Sequence, residues 1–509
     1  MDTSIRSHWQ DKAAWISIAV CVCFLVLDRG LLLNQFGFRY VDDDQAIMWS
    51  GAAEMAQGRF HEPCFYGQRY NTMLEGLVAV PLLWLGVGPE VALPLVTSFL
   101  SLFPFALLAW IMVRKRMFFH AALMLVLPVT LSPEFGMIST IPRGFVTGVF
   151  LASMAVLPLF SRRGIFLFLS PFFAILALFA NPNAALVLVP AAILILLKYP
   201  SERRLYLLGI AGALPAAALS YWGHHFYDLH PAYVVHRIGD LSFDLSTIRS
   251  ADIKYLDHLS PVVWGKGVVV LFFLLTLVVV HAWRKQWKHA FALAMGVVLL
   301  VASFGVSKVH DGTSSVYYPW ARMFLAIPFL LALFMAQLRV RPLSWVIHLL
   351  PIVAAGFFGF KCFAQADAVA RQIDHPEQSY IEVAQVEDLE RHCLVLDRLA
   401  RENKADLLVV SWGALKHLTS YGCPCLYPAF PTTFEPALDR RTWLLRSVAG
   451  EVAPNVLFTG YAESDFAGPH DPVIHATKVS EEPLIFLVKG NMQRTDSLFS
   501  NLGFYLRPY

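Results

Sequence analysis

The sequence predicts an α-helical polytopic membrane protein with about eleven transmembrane helices and a small C-terminal α/β domain outside the membrane. Three observations carry this reading. The 509-residue chain is 57% hydrophobic and only 15% charged, whereas soluble domains run to about a quarter charged. Its apolar residues fall in runs close to the roughly 20 residues that a helix needs to cross a bilayer. From residue 362 onward that character disappears, and charged helical spacing alternates with short apolar strands. A net charge of +3 gives no electrostatic footing for a nucleic-acid partner.

The elements follow in order. Residues 1–12 are short and polar. The first apolar run, 13–33, carries Asp28-Arg29 near its end and lacks a small-residue cleavage site, so it reads as a retained span rather than a signal peptide. Further runs occupy 89–113, 117–133, 144–160, 164–180, 183–198, 205–222, 261–283, 289–306, 319–337 and 342–361, each bounded by charge, Pro or Gly. Residues 76–88 are apolar but short, and counting them as a span would flip every later loop. If they do not cross, one side collects Arg6, Lys12, Arg114-Lys115-Arg116, Arg162-Arg163, Lys198, Arg203-Arg204, Arg284-Lys285, Lys288, Arg339 and Arg341. That one-sided set is what cytoplasmic loops carry, so 76–88 reads as a short helix at the outer interface. The outer side then holds loops 34–75, 134–143 and 223–260 and the tail 362–509. In the tail, Glu377 to Asn403 has helical spacing, and Leu407-Leu408-Val409-Val410, Asn455-Val456-Leu457-Phe458 and Leu484-Ile485-Phe486-Leu487-Val488 read as buried strands. Of seven cysteines, Cys21 and Cys23 sit in an apolar run, while Cys64, Cys362, Cys393, Cys423 and Cys425 sit in polar segments. Cys423-Pro424-Cys425 lacks the spacer of a redox motif, and a structural disulfide from one of its cysteines to Cys393 is expected.

The chemistry concentrates in the first outer loop. Tyr40-Val41-Asp42-Asp43-Asp44-Gln45 places three consecutive carboxylates just after the first span. Charge at a membrane edge must be solvated, paired or used. Helical spacing follows Asp44 and ends at Gly58, so one Asp can serve as an N-cap. Three exceed that need. Span interiors are nearly free of Asp, Glu, Lys and Arg, whereas ion-coupled carriers keep ionisable groups near the bilayer middle. The pattern suits an enzyme at an interface better than a flippase or carrier of lipid or glycan, which is the alternative reading.

The acidic motif, Ala53-Glu54-Met55-Ala56-Gln57-Gly58, and Tyr66-Gly67-Gln68-Arg69-Tyr70 running into Leu74-Glu75 resemble the GT-C superfamily of polytopic glycosyltransferases. The likeness is to the bacterial branch near protein O-mannosyltransferases and lipid A aminoarabinose transferases. Pro142-Arg143-Gly144 and Tyr318-Pro319-Trp320-Ala321-Arg322 are weaker matches. The resemblance covers roughly residues 10–360 and implies that the transmembrane domain 1–361 is the catalytic one; the C-terminal domain 362–509, extracytoplasmic by the topology above, adds no recognised signature. It implies a polyprenyl-phosphate-linked sugar donor, inversion at the sugar, and a glycolipid, polysaccharide or protein acceptor at the outer face of a bacterial inner membrane. It also implies a catalytic Asp in the first loop, a position that Asp43 or Asp44 occupies. A carboxylate there can take the acceptor proton, and a leaving phosphate needs cations. Arg322, Arg143, Arg69 and Lys308 are the candidates for that contact, with an interfacial anchoring role as the alternative for the three arginines. Asp42, Glu75 and Glu134 are candidates for an acceptor contact or a second acid. Asp42 and Asp44 form an Asp-x-Asp pair able to take Mg²⁺ or Mn²⁺, but no second ligand set accompanies it, and no cofactor is expected. His224-His225, Asp228 and His230 do not match a structural zinc spacing.

Reporter fusions should place residue 115 in the cytoplasm, with the N-terminus, and residue 370 outside. A fusion at 115 that reports the outer compartment would mean that 76–88 crosses.

Overall fold

A computed structural model describes residues 3–200, 202–233, 242–249, 258–310, 317, 320–338, 345–374, 383–411, 415, 417–436, 439–466, 475–489 and 494–504. Tyr318 and Pro319 of the motif before Arg322, the cations Arg339 and Arg341, and the start of the helix expected from Glu377 lie outside the described residues. The chain divides into two compact units. One comprises Met1–Gly37, Pro94–Trp222 and Ile238–Tyr380, and the other Phe38–Leu93, Gly223–Arg237 and Ile381–Tyr509.

The first unit is helical. Each apolar run read from the sequence is helical in whole or part, but among the described residues four stretches are long and apolar enough to cross a membrane, fewer than the eleven expected: Lys12–Gly37, Pro89–Arg114, Arg203–Leu229 and Val346–Asp374. The others are shorter apolar helices, such as Phe118–Thr130, Thr147–Leu159 and Pro182–Lys198. Proline sets much of this. Pro128, Pro158 and Pro182 each sit in a 3₁₀ turn that ends or begins a run, because a prolyl nitrogen cannot donate to the ladder and its ring crowds the preceding turn. The Thr3–Leu32 helix packs on Phe118–Val126 and Leu349–Asp374, and Val268–Trp283 packs on Trp287–Ser303. Outward faces carry large apolar side chains: Leu207, Ile210 and Leu214 on one helix, and Phe357, Phe360 and Phe363 on another, are exposed. Contiguous apolar surface of this kind suits lipid rather than water. The run expected to end at residue 361 continues as helix to Asp374, since Cys362, Ala366 and Val369 remain buried on its inward face.

The second unit is α/β. Strands β3 (Leu407–Val410), β4 (Thr432–Phe434), β5 (Asn455–Thr459), β6 (Ala476–Glu481) and β7 (Leu484–Lys489) form a sheet in the order β4-β3-β5-β7-β6. β3 runs parallel to β4 and β5, while β7 is antiparallel to β5 and β6. Val409, Val456, Phe458, Phe486 and Val488 pack with Leu445, Val448, Leu498 and Phe499 in one core. The Val386–Glu402 helix buries Val386, Leu389, Cys393, Leu396 and Ala400, a 3.6-residue stripe.

This unit also takes in the first outer loop, which the sequence reading had grouped with the transmembrane domain. β1 (Tyr40–Asp42) pairs antiparallel with β2 (Val383–Gln385), Asp42 opposite Val383. The Asp43–Ala56 helix packs on Leu74–Trp84 and on the turn Leu418–Gly422. The Leu74–Trp84 helix has 11 residues and at about 1.5 Å per residue falls far short of a bilayer core. Cys393 is disulfide-bonded to Cys423, 30 residues away, as one of the two pairings expected.

A closed loop of this size stabilises by about 2–4 kcal/mol. Cys393→Ser should therefore lower the temperature at which protease begins to cut residues 386–502. An unchanged cutting temperature would reduce the bond to a bystander.

Candidate active site

The three aspartates have separate fates. Asp42 is the N-cap of the Asp43–Ala56 helix: its Oδ1 accepts from the Gln45 N–H at 3.0 Å, and Gln45 Oε1 accepts from the Asp42 N–H at 3.0 Å. This reciprocal box satisfies two donors that a helix start leaves open, and Asp42 is fully buried. Asp43 and Asp44 occupy the first turn and are half-buried, within reach of a ligand. Asp44 Oδ1 lies 3.5 Å from a guanidinium nitrogen of Arg440. Asp42 and Asp44 thus face different partners instead of forming a shared chelate. Among the described residues, no three His, Cys, Asp or Glu side chains gather as a metal-holding group.

Other candidates in this unit are placed as follows. Glu75 is fully buried in the first turn of Leu74–Trp84, the helix that packs on the aspartate-bearing one. Arg69 is half-exposed, pairs with Asp228 at 2.9 Å, and lies 5.7 Å from the Tyr227 ring centroid. His225 Nδ1 lies 3.6 Å from the same Asp228.

The membrane unit assembles the cations. Arg143 and Arg322 are both only 2% exposed. Arg143 donates to the Tyr317 carbonyl at 3.1 Å and stands over its ring at 4.8 Å, and Arg322 stands 5.9 Å from the Phe145 ring centroid. Arg322 lies in the 3₁₀ turn Trp320–Phe324, on which the helix Pro133–Ile138 carrying Glu134 and the turn Ser307–His310 carrying Lys308 both pack. Both of those side chains are half-buried. Sequence positions 134, 143, 308 and 322 therefore converge. Two guanidinium groups in apolar surroundings act electrostatically far more strongly than they would in water and can grip a phosphate bidentately. The same unit holds a cavity of about 640 Å³, lined by Leu131, Trp264, Phe273, Leu331 and Phe358 among others. Its lining is apolar enough to accept a hydrocarbon chain.

Sequence reasoning missed two features. Arg440 is one: no spacing rule links it to the first loop. Glu62 is the other. It is buried beside Tyr227, whose hydroxyl donates to Glu62 Oε2 at 2.9 Å. Burial pushes the Glu62 carboxyl well above the usual range, and burial likewise raises the Cys64 thiol to about 12. The flanking His61, Pro63 and Phe65 were the available signal, because a carboxyl set among them is poorly solvated. His61 itself stacks on Trp443 at 3.9 Å between ring centroids.

No family model matches the chain, and no curated protein sequence matches it. Among solved structures, the crystal structure of ArnT from Cupriavidus metallidurans bound to undecaprenyl phosphate matches with a TM-score of 0.57 at 11% identity, covering 96% of this chain and 99% of that chain. The chain thus shares its fold with ArnT over nearly its whole length, in line with the resemblance read from the first loop.

The Glu62 carboxyl gives a pH test. A folded-state pKa raised above the ordinary 4.5 contributes stability that is complete at lower pH and is lost as pH rises through the folded value. Thermal stability of the wild type should fall as pH climbs from 4.5. Glu62→Gln, whose amide oxygen still accepts from Tyr227, should flatten that slope. Parallel pH profiles for the two proteins would refute it.

Proposed function

We propose that this protein is a membrane glycosyltransferase. It moves a sugar from a polyprenyl-phosphate-linked donor to a glycolipid, polysaccharide or protein acceptor at the outer face of a bacterial inner membrane. The observation that carries this reading is a pair of half-buried carboxylates, Asp43 and Asp44, at a helix start within a fold shared with a protein crystallised bound to undecaprenyl phosphate.

In this reading the acceptor oxygen or nitrogen attacks the anomeric carbon from the face opposite the phosphate. Asp43 or Asp44 takes the acceptor proton as the new bond forms. The bond from the anomeric carbon to the phosphate oxygen breaks in the same displacement, with inversion, and its electron pair leaves on the polyprenyl phosphate. Arg143 and Arg322 neutralise that developing charge, with Lys308 nearby. The apolar cavity that Trp264 helps to line suits part of the carrier's tail. Glu75 and Glu134 are the remaining acids for acceptor orientation. Arg69, held by Asp228, contacts phosphate only if that exposed pair exchanges. The reading needs no bound cofactor.

Mass spectrometry of lipid extracted from the purified protein should find a polyprenyl phosphate or its sugar ester. Finding bilayer phospholipid alone would favour the carrier alternative. Asp43→Asn or Asp44→Asn should cut transfer by about a hundred- to ten-thousand-fold with folding intact, and wild-type rates from both would reduce the segment to a cap. Arg322→Lys should weaken dependence on the donor, and Arg322→Ala should weaken it more, with acceptor dependence little changed. Normal donor kinetics with lowered thermal stability would make Arg322 an interfacial anchor.

A further inference from the structure

Arg440 stands between two residues that are locked together. Arg441 Nε donates to Asp439 Oδ1 at 2.9 Å and its Nη2 to Oδ2 at 2.6 Å, with both residues buried. Further guanidinium N–H groups of Arg441 reach the carbonyls of Ser420 at 3.1 Å and Thr433 at 2.8 Å, and its planar head stands 4.2 Å from the Tyr421 ring centroid. The Tyr421 hydroxyl donates to Asp439 and accepts from the Arg440 N–H at 2.7 Å. The backbone at 440 is therefore fixed from both sides, and its side chain is delivered on a rigid base.

That side chain runs past Gly67 to Asp44. A Cβ on Gly67 would come within 2.6 Å of Arg440 Cδ, and Gly67 has a φ of +78°, a region that side chains with a Cβ rarely adopt. Glycine here both makes the turn and clears the path. Arg440 Nη1 then reaches 3.5 Å from Asp44 Oδ1, with both side chains largely shielded from solvent. Ion pairs near a surface contribute little to stability, so stability alone gives no reason for so much fixed structure behind one guanidinium. Orientation does. Reactive carboxylates work when neighbours lock their geometry.

We propose that Arg440 is a positioning residue for Asp44. It holds one carboxylate oxygen and leaves the other turned to the acceptor, so that the C-terminal α/β segment completes the acidic half of the site. This rests on the reading of Asp44 as the acid–base group of a glycosyl transfer.

The test uses the full-length protein in native membranes supplied with undecaprenyl phosphate carrying a radiolabelled hexose or pentose. Arg440→Met should lower kcat by about ten- to a hundred-fold, with the KM for donor little changed. Arg440→Lys should recover part of the rate. In the Asp44→Asn background, Arg440→Met should cost nothing more, because the two act as a unit. An unaltered kcat, or a loss that adds in full to that of Asp44→Asn, would overturn the inference while leaving the transferase reading in place. A rise in donor KM at constant kcat would also overturn it, making Arg440 a donor ligand. A wild type inactive on every such donor would sink the transferase reading, and the inference with it. Paired Asp44→Cys and Arg440→Cys reports the contact without any activity: a mapped cross-link is expected, and its failure counts against the inference alone.

Discussion

The site depends on a short piece of backbone pairing. β1 and β2 contribute three residues each, and the last residue of β1 is Asp42, the cap of the aspartate-bearing helix. Every paired backbone group in that ribbon fixes where the helix starts, and so where Asp43 and Asp44 stand. The pairing also constrains the chain on a larger scale. Two strands can share hydrogen bonds only in one aqueous compartment, so the bilayer must be crossed an even number of times between residue 42 and residue 383. With the other apolar runs taken as spans, the arrangement in which 76–88 stays out of the bilayer meets that parity. The arrangement in which it crosses does not. This argument is independent of the distribution of Lys and Arg.

The chemistry separates by environment. Asp43 and Asp44 lie half-buried at a helix start in the α/β unit, where the helix dipole favours carboxylates. Arg143 and Arg322 lie in the helical unit, buried against Tyr317 and Phe145. A low-dielectric setting strengthens a cation's hold on an anion. It would equally disfavour an ionised carboxyl, as Glu62 illustrates where it sits buried beside Tyr227.

Much of this was legible in the sequence. Apolar runs announced the helices, and Leu407–Val410, Asn455–Phe458 and Leu484–Val488 read as strands because buried β-segments need unbroken apolar stretches. The acidic segment drew attention because charge beside a membrane is costly. What stayed hidden depends on partners distant in the chain. A three-residue ribbon has no periodicity to read, so β1 and β2 were invisible. Arg440 is one arginine among many, and only the fold sets it beside Gly67. The shortened helices were partly readable, since the prolines that trim them are plain in the sequence, but hydropathy counts residues and does not see where a ladder breaks.

The strand pairing has a consequence in time. Its two strands are separated by more than three hundred residues of chain. A ribosome adding about 5–20 residues per second delivers β2 on the order of half a minute after β1 has left the tunnel. Throughout that interval the acidic segment lacks its ribbon partner, and every membrane helix between the two must be inserted before the ribbon can close. The aspartate-bearing segment therefore gains its ribbon partner only after most of the chain has been made, and a chain released before residue 383 carries the aspartates without that support.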